Sequence, residues 1–224
     1  IQLPSLIIGW IIGNLLGAVA AYRKGIFDRI IFPLSLFFSS IPVFVLALLM
    51  KYYLGVYAHW FPMQGAYAAE LMPSATFTFY WSLFRHWQLP FLATCLVMIG
   101  GQAIGMRSMS LYELNADYVL YAKLLGIPEN KITKYVFKNA VLPQITGLAL
   151  SLGTMISGAL ITEIVFSYPG IGTQLVNAIH NVDYTLISGC TLFISITALI
   201  ANFTIEIIYG LIDPRIRAIQ MEEE

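Results

Sequence analysis

The stretch DYVLYAKLLGIPENKITKYVFKNAVLP, residues 117–143, decides how this chain folds. In 27 residues it sets three tyrosines, four lysines and two prolines between runs that carry no charge. Tyr118, Tyr121, Ala122 and Leu125 recur at spacings of three and four, which predicts one shared face of a short helix from Asp117 to Leu125. Gly126 stands where a helix of this length takes its C-cap glycine. Pro128 then opens a second helix at its first position, with Glu129 near the positive end of the helix dipole. That second helix carries Lys131, Lys134 and Lys138 and is expected to run on into the next apolar run. A water-exposed helix that shows tyrosines and leucines can lie on a lipid interface or plug into a groove of a partner protein. Periodicity does not separate the two, but the Gly-x-Pro corner favours a protruding element, since a helix lying flat needs no corner.

Outward from this segment the chain is apolar. Of 224 residues, 58% are hydrophobic and 11% charged, with a mean hydropathy of +0.77, whereas soluble domains carry about a quarter charged residues. Five runs lack Asp, Glu, Lys and Arg: residues 1–22, 30–50, 89–106, 139–162 and 184–205. Each is near the length of about 20 helical residues that a hydrocarbon core of about 30 Å requires, and helices are the default because unpaired backbone groups cannot face lipid. Placing Arg23, Lys24 and Arg29 inside puts ten of the twelve basic residues inside, leaving only Lys51 and Arg85 outside, as cytoplasmic enrichment of Lys and Arg demands. The first run then goes from outside to inside, and one further spanning helix is expected before residue 1. The C-terminus is expected in the cytoplasm.

The chain reads as a single membrane domain over residues 1–224, with a cytoplasmic loop at about 113–138 and external loops at about 52–88 and 164–183. Twelve aromatic residues between Tyr52 and Trp87 read first as an interfacial belt. Gly147, Gly153 and Gly158, with Ser151 and Ser157, predict close helix packing in the fourth run, and Pro143 suits its first turn or a kink. Glu206, just past the last charge-free run and about two turns from the expected cytoplasmic end of that span, is expected to face protein or water, with a structural hydrogen bond favoured over a transport role. Cys95 and Cys190 read as small buried apolar residues. His59, His86 and His180 share no metal-ligand spacing. A zero net charge without a basic tract excludes nucleic acid as a partner. No G-x-x-x-x-G-K-[ST], G-x-S-x-G or H-E-x-x-H occurs, so the chain cannot cradle nucleotide phosphates and offers no enzyme constellation.

The same residues resemble a known family. Arg107-Ser108, then DYVLYAKLLG and KNAVLP, then GALITEIVFSYPGIG, Asp183-Tyr184 and YGLIDPRIR are similar in order and spacing to the permease subunits of ATP-binding-cassette importers, in the B-type branch of the dipeptide/oligopeptide group. Upstream, GAVAAYRKGIFDR, SIPVFVLALLM and RHWQLP extend the likeness to nearly the whole chain. Where family members often carry Thr-Ala-Arg, this chain has Leu120-Tyr121-Ala122, and Leu124-Leu125 replaces an Ala-Lys pair, a more apolar loop.

The resemblance implies an all-α membrane protein with a type I ABC importer transmembrane domain (MetI-like). Five of its spans are visible here. It implies that Asp117, Tyr118, Tyr121, Ala122, Lys123 and Gly126 form a coupling helix that docks on a cytoplasmic ATPase. Tyr118 and Tyr121 would be its apolar anchors, and Lys123 a rim contact. It further implies that Glu163, Phe166, Pro169, Gly170, Gly172 and Asp183 belong to an external loop that meets a solute-binding protein and lines the outer gate. For Glu163 and Asp183, capping and packing offer an equal account. Implied partners are a C-type second permease, two ATP-binding subunits holding ATP and Mg, an extracytoplasmic solute-binding protein, and the bilayer of a bacterial or archaeal inner membrane. No cofactor is expected in this chain. The rival reading, an ion-coupled secondary transporter, asks for ionisable residues near the bilayer midplane and paired broken helices.

Overall fold

The computed structural model describes residues 1–23 and 25–212, without the side chains of 149, 150, 152–159, 205, 206 and 208–212. Expectations that rest on Lys24, Gly153, Ser157, Gly158, Glu206, Arg215, Arg217 and the tail motif therefore lie outside the described residues. Eight α-helices appear among those described: α1 Gln2–Tyr22, α2 Ile26–Ser40, α3 Val43–Met50, α4 Phe77–Leu114, α5 Asp117–Leu124, α6 Glu129–Phe166, α7 Ile171–His180 and α8 Tyr184–Ile212. A π-helical segment, Lys51–Tyr57, prolongs α3.

By length and composition α1, α4 and α8 can each cross a membrane. The 38 residues of α6 make a rod of about 57 Å, and it runs unbroken through Pro143. The run at residues 30–50 is not the straight span its composition suggests. Its two halves, α2 and the α3–π segment, meet at 99°. The cause is Pro42. It has no amide hydrogen to donate, and its ring pushes the preceding residue out of the helical region, so Ile41 sits at φ −82° and ψ 125°. Irregular chain in the first external loop is also shorter than expected, since helix covers residues 51–57 and everything from Phe77 on. The early part of α4 carries Phe77, Trp81, Phe84, Trp87 and Phe91 as one continuous series of ring contacts, the stripe that i+3 and i+4 spacing creates.

Close packing centres on α1 and α4. Gly9, Gly13 and Gly17 form one ridge at four-residue spacing. A Cβ on Gly9 would stand 2.7 Å from Met98 Cβ, one on Gly13 2.8 Å from the Ile99 carbonyl, and one on Gly17 on the Ala103 carbonyl itself. The absent side chains let the two backbones touch, the small-residue packing that membrane helices use. Gly100 does the same for α2, whose Ser35 carbonyl lies 2.7 Å from where its Cβ would be. At Gly147, by contrast, an added Cβ would meet nothing within 4 Å, so the close approach expected there is found on α1 instead. Helix α6 joins the bundle through Ala140, packed with Ala18 and Met106, and the Trp10 indole donates to the Gln144 carbonyl at 2.9 Å.

Candidate functional site

At one end of the bundle α4, α5 and α6 form the elbow. Helix α5 starts at Ala116, held extended, with Asp117 in its first turn and Lys123 in its last, so both charges suit the helix dipole. It ends in a complete Schellman motif: Ile127 N–H donates to the Ala122 carbonyl and Gly126 N–H to the Lys123 carbonyl, both at 3.0 Å. Gly126 is at φ +70°, the left-handed conformation this motif places on glycine. Pro128 is the N-cap of α6, one residue before the expected first position.

Tyr118, Tyr121, Ala122 and Leu125 keep the expected helical spacing, but the packing splits them between a buried and an exposed side. Ala122, 7% exposed, joins Val119, Ile132 and Val136 in a small core beneath the elbow, with Tyr118 and Ile127 packed at its edge. Tyr121 is 63%, Leu124 75% and Leu125 78% exposed, and Leu120 stands with them. The reason is the sharp return at Gly126, which folds α6 back along α5 and selects the Val119–Ala122 stripe as the inner one. The outer face is therefore leucine with one tyrosine. Tyr118 has a different part: its hydroxyl donates to Glu113 Oε2 at 2.7 Å, tying α5 to the last turn of α4. Burial, then that hydrogen bond to an anion, push its pKa up to about 12. Tyr22, at the end of α1, donates to the Thr133 carbonyl at 2.9 Å and braces α6 from the other side.

At the opposite end Glu163 works as a cap. Its Oε2 accepts the N–H groups of Gly172 at 2.9 Å and Thr173 at 3.1 Å, two of the unpaired donors at the start of α7. A Cβ on Gly170 would take the place of the Glu163 carboxylate, so a larger residue there displaces the cap, and Gly172 rests on the Leu160 backbone. Phe166, 1% exposed, fills a core with Ala47, Leu89 and Ala93. Thr162, Glu163, Tyr168 and Pro169, together with Phe193 and Thr197 of α8, line a cavity of about 370 Å³. Asp183 stands apart from Glu163 and caps α8, accepting the Leu186 N–H at 3.0 Å.

Three features of these ends went unread in the sequence. Lys51 donates to the Val165 carbonyl at 2.6 Å, and Arg85 to the Trp60 carbonyl at 2.6 Å. The two basic residues that break the charge asymmetry thus serve carbonyls of their own chain. Asp28 and Arg107 form a two-pronged ion pair, 2.6 Å and 2.7 Å, with the guanidinium 4.3 Å from the Phe32 ring centre. No sequence signal announces a pair 79 residues apart. The Gly9-Gly13-Gly17 ridge was the readable one.

Long apolar helices, a close-packed glycine ridge and a capped helical elbow at one end define an integral membrane protein of the helical-bundle class. Residues 13–218 match the family of binding-protein-dependent transport system inner membrane components. The chain belongs to that family. It is 36% identical over 218 residues to a putative peptide permease protein of Brucella ovis, covering 95% of this chain and 66% of that protein. It is 33% identical to a dipeptide transport system permease protein of Bacillus subtilis, covering 96% and 66%. It is 30% identical to a di/tripeptide transport system permease protein of Pseudomonas aeruginosa, covering 97% and 69%. The chain spans about two thirds of the length of these relatives.

Proposed function

We propose that this chain is a transmembrane permease subunit of an ATP-driven importer for peptides or similar small solutes, lying in an inner membrane with its elbow and C-terminus on the cytoplasmic side. It would form the pathway with a second permease. It would take its energy from ATPase subunits that hold the ATP and Mg, and receive solute from an extracytoplasmic binding protein at the end built by Glu163, Pro169 and Gly170. The names of the relatives support the solute class. The observation that carries the coupling role is the elbow itself: an outer face of Leu120, Tyr121, Leu124 and Leu125 left bare on a helix whose inner face and both ends are fixed. A bare apolar face on a rigid short helix suits insertion into a groove. Closing of the ATPases would then rock α4 and α6 as rigid bodies.

The test is co-purification and transport in reconstituted vesicles. Leu124→Asp, which alters only the outer face, is expected to lower ATPase retention at least tenfold and abolish ATP-driven uptake, while the bundle keeps its thermal stability. Uptake that runs on a proton or sodium gradient without ATP would overturn the reading in favour of an ion-coupled carrier.

A further inference from the structure

Between the elbow and the apolar part of α6 lies a stripe the coupling role does not use. Ile132, Val136 and Ala140 turn inward and are buried. On the opposite side stand Lys131, Lys134, Tyr135 and Lys138, all exposed, followed by Leu142, also exposed. At 3.6 residues per turn these five fall within an arc of about 100°. None of the three lysines has an ion-pair or hydrogen-bond partner among the described residues.

We infer that Lys131, Lys134 and Lys138, with Tyr135 among them, bind the phosphates of anionic phospholipids in the leaflet they face. Depth is the first argument. At 1.5 Å per residue the lysines lie about 1.5, 7.5 and 12 Å beyond Asn139, where the charge-free run begins. The headgroup layer is about 5–7 Å thick on each side of the hydrocarbon, so Lys138 lies within it, Lys134 at its outer edge and Lys131 about 5 Å above it, a gap that a flexible lysine stem can span. The elbow corner at Pro128 sits about 16 Å beyond Asn139, so a protein gripping the outer face of α5 is held farther out. Direction is the second argument. The arc continues into Leu142, an apolar side chain that the chain leaves uncovered where the charge-free run has begun, so the lysines face the way the lipid-facing surface faces. Tyr135 is the residue type that settles at headgroup level. Three unpaired cations at that depth are complementary to phosphate, each contributing up to about 1 kcal/mol near an anionic surface. Bound lipid would fix the height of the elbow above the membrane.

The experiment uses the intact protein with the subunits that purify with it. It is placed in phosphatidylcholine vesicles carrying a trace of spin-labelled phosphatidylglycerol or spin-labelled phosphatidylcholine. The motionally restricted fraction is expected to favour the anionic label, and the preference to fall roughly threefold or more in K131Q/K134Q/K138Q and in high salt. K131R/K134R/K138R is expected to retain it. Equal preference in wild type and the Gln variant would overturn the inference, and so would its loss in the Arg variant. Capture of a protein subunit and no lipid by a photocrosslinker at position 134 would overturn it in favour of a protein contact. The readout requires no transport, so its failure is distinct from failure of the importer reading.

Discussion

A single hydroxyl fixes how the elbow is set on the bundle. Tyr118 donates to Glu113 across the break between α5 and α4, and its folded pKa is raised from 10.0 to about 12. A raised tyrosine pKa means the neutral form is favoured in the folded state, so the stabilisation is complete below pH 10 and is lost as pH climbs from 10 towards about 12. Thermal unfolding in detergent, followed by tryptophan fluorescence between pH 8 and 12, is expected to show wild type losing stability faster than Tyr118→Phe. The variant keeps the ring in place but has no proton to lose. Parallel curves would show that burial and the Glu113 hydrogen bond do not hold the hydroxyl neutral. Gly126 was readable at this scale because a helix C-cap in the left-handed region has its own residue signature. Glu113 was not, since five residues across a helix break match no helical spacing. Nor did periodicity separate the inner from the outer side of α5: Tyr118 and Tyr121 are alike as letters, and only the return of α6 assigns them different sides.

Among the elements, α1 and α4 show how a pattern outperforms composition. Gly147 offers no close approach, whereas the four-residue ridge Gly9-Gly13-Gly17 brings two backbones together. Its period matches one side of a helix, and its neighbours on α4 are backbone atoms and the Cβ atoms of Met98 and Gln102, which are fixed to that backbone. Backbone cannot rotate out of the way as a side chain can, so a β-branched residue on this ridge forces the helices apart. Gly17→Val is expected to cost about 1–3 kcal/mol and to lower the melting temperature in detergent by several degrees. Gly101→Val, on the same α4 but with nothing within 4 Å of its Cβ, is expected to change little. Equal effects at the two positions would mean helix propensity, and not contact, governs the ridge. The 99° break at Ile41–Pro42 belongs to this scale too. Hydropathy sees one apolar run there, while the geometry of a residue before proline makes two helices of it.

Over the molecule as a whole, α2 is fastened to α4 at two points, the Gly100 contact near its middle and the Asp28–Arg107 pair near its start. Arg107 lies two turns before Leu114, where α4 passes into the elbow, so the pair sits between the element proposed to receive force and the bent helix that would be moved. It is the one ion pair among the described residues, and its side chains are 20% and 24% exposed. Screening at that depth is partial, and each partner would be left charged and half-desolvated without the other. Removing one partner is therefore expected to cost more than the pair's net contribution. Arg107→Gln and Asp28→Asn alone are each expected to lose about 1.5–3 kcal/mol, while the double variant loses clearly less than their sum. In transport, the singles are expected to let ATPase activity proceed with less solute moved per ATP, because α2 no longer follows α4, and the charge-reversed pair D28R/R107D to recover part of that ratio. Additive losses in the cycle, with no recovery on reversal, would show that α2 is carried by the Gly100 contact alone and that the ion pair transmits nothing.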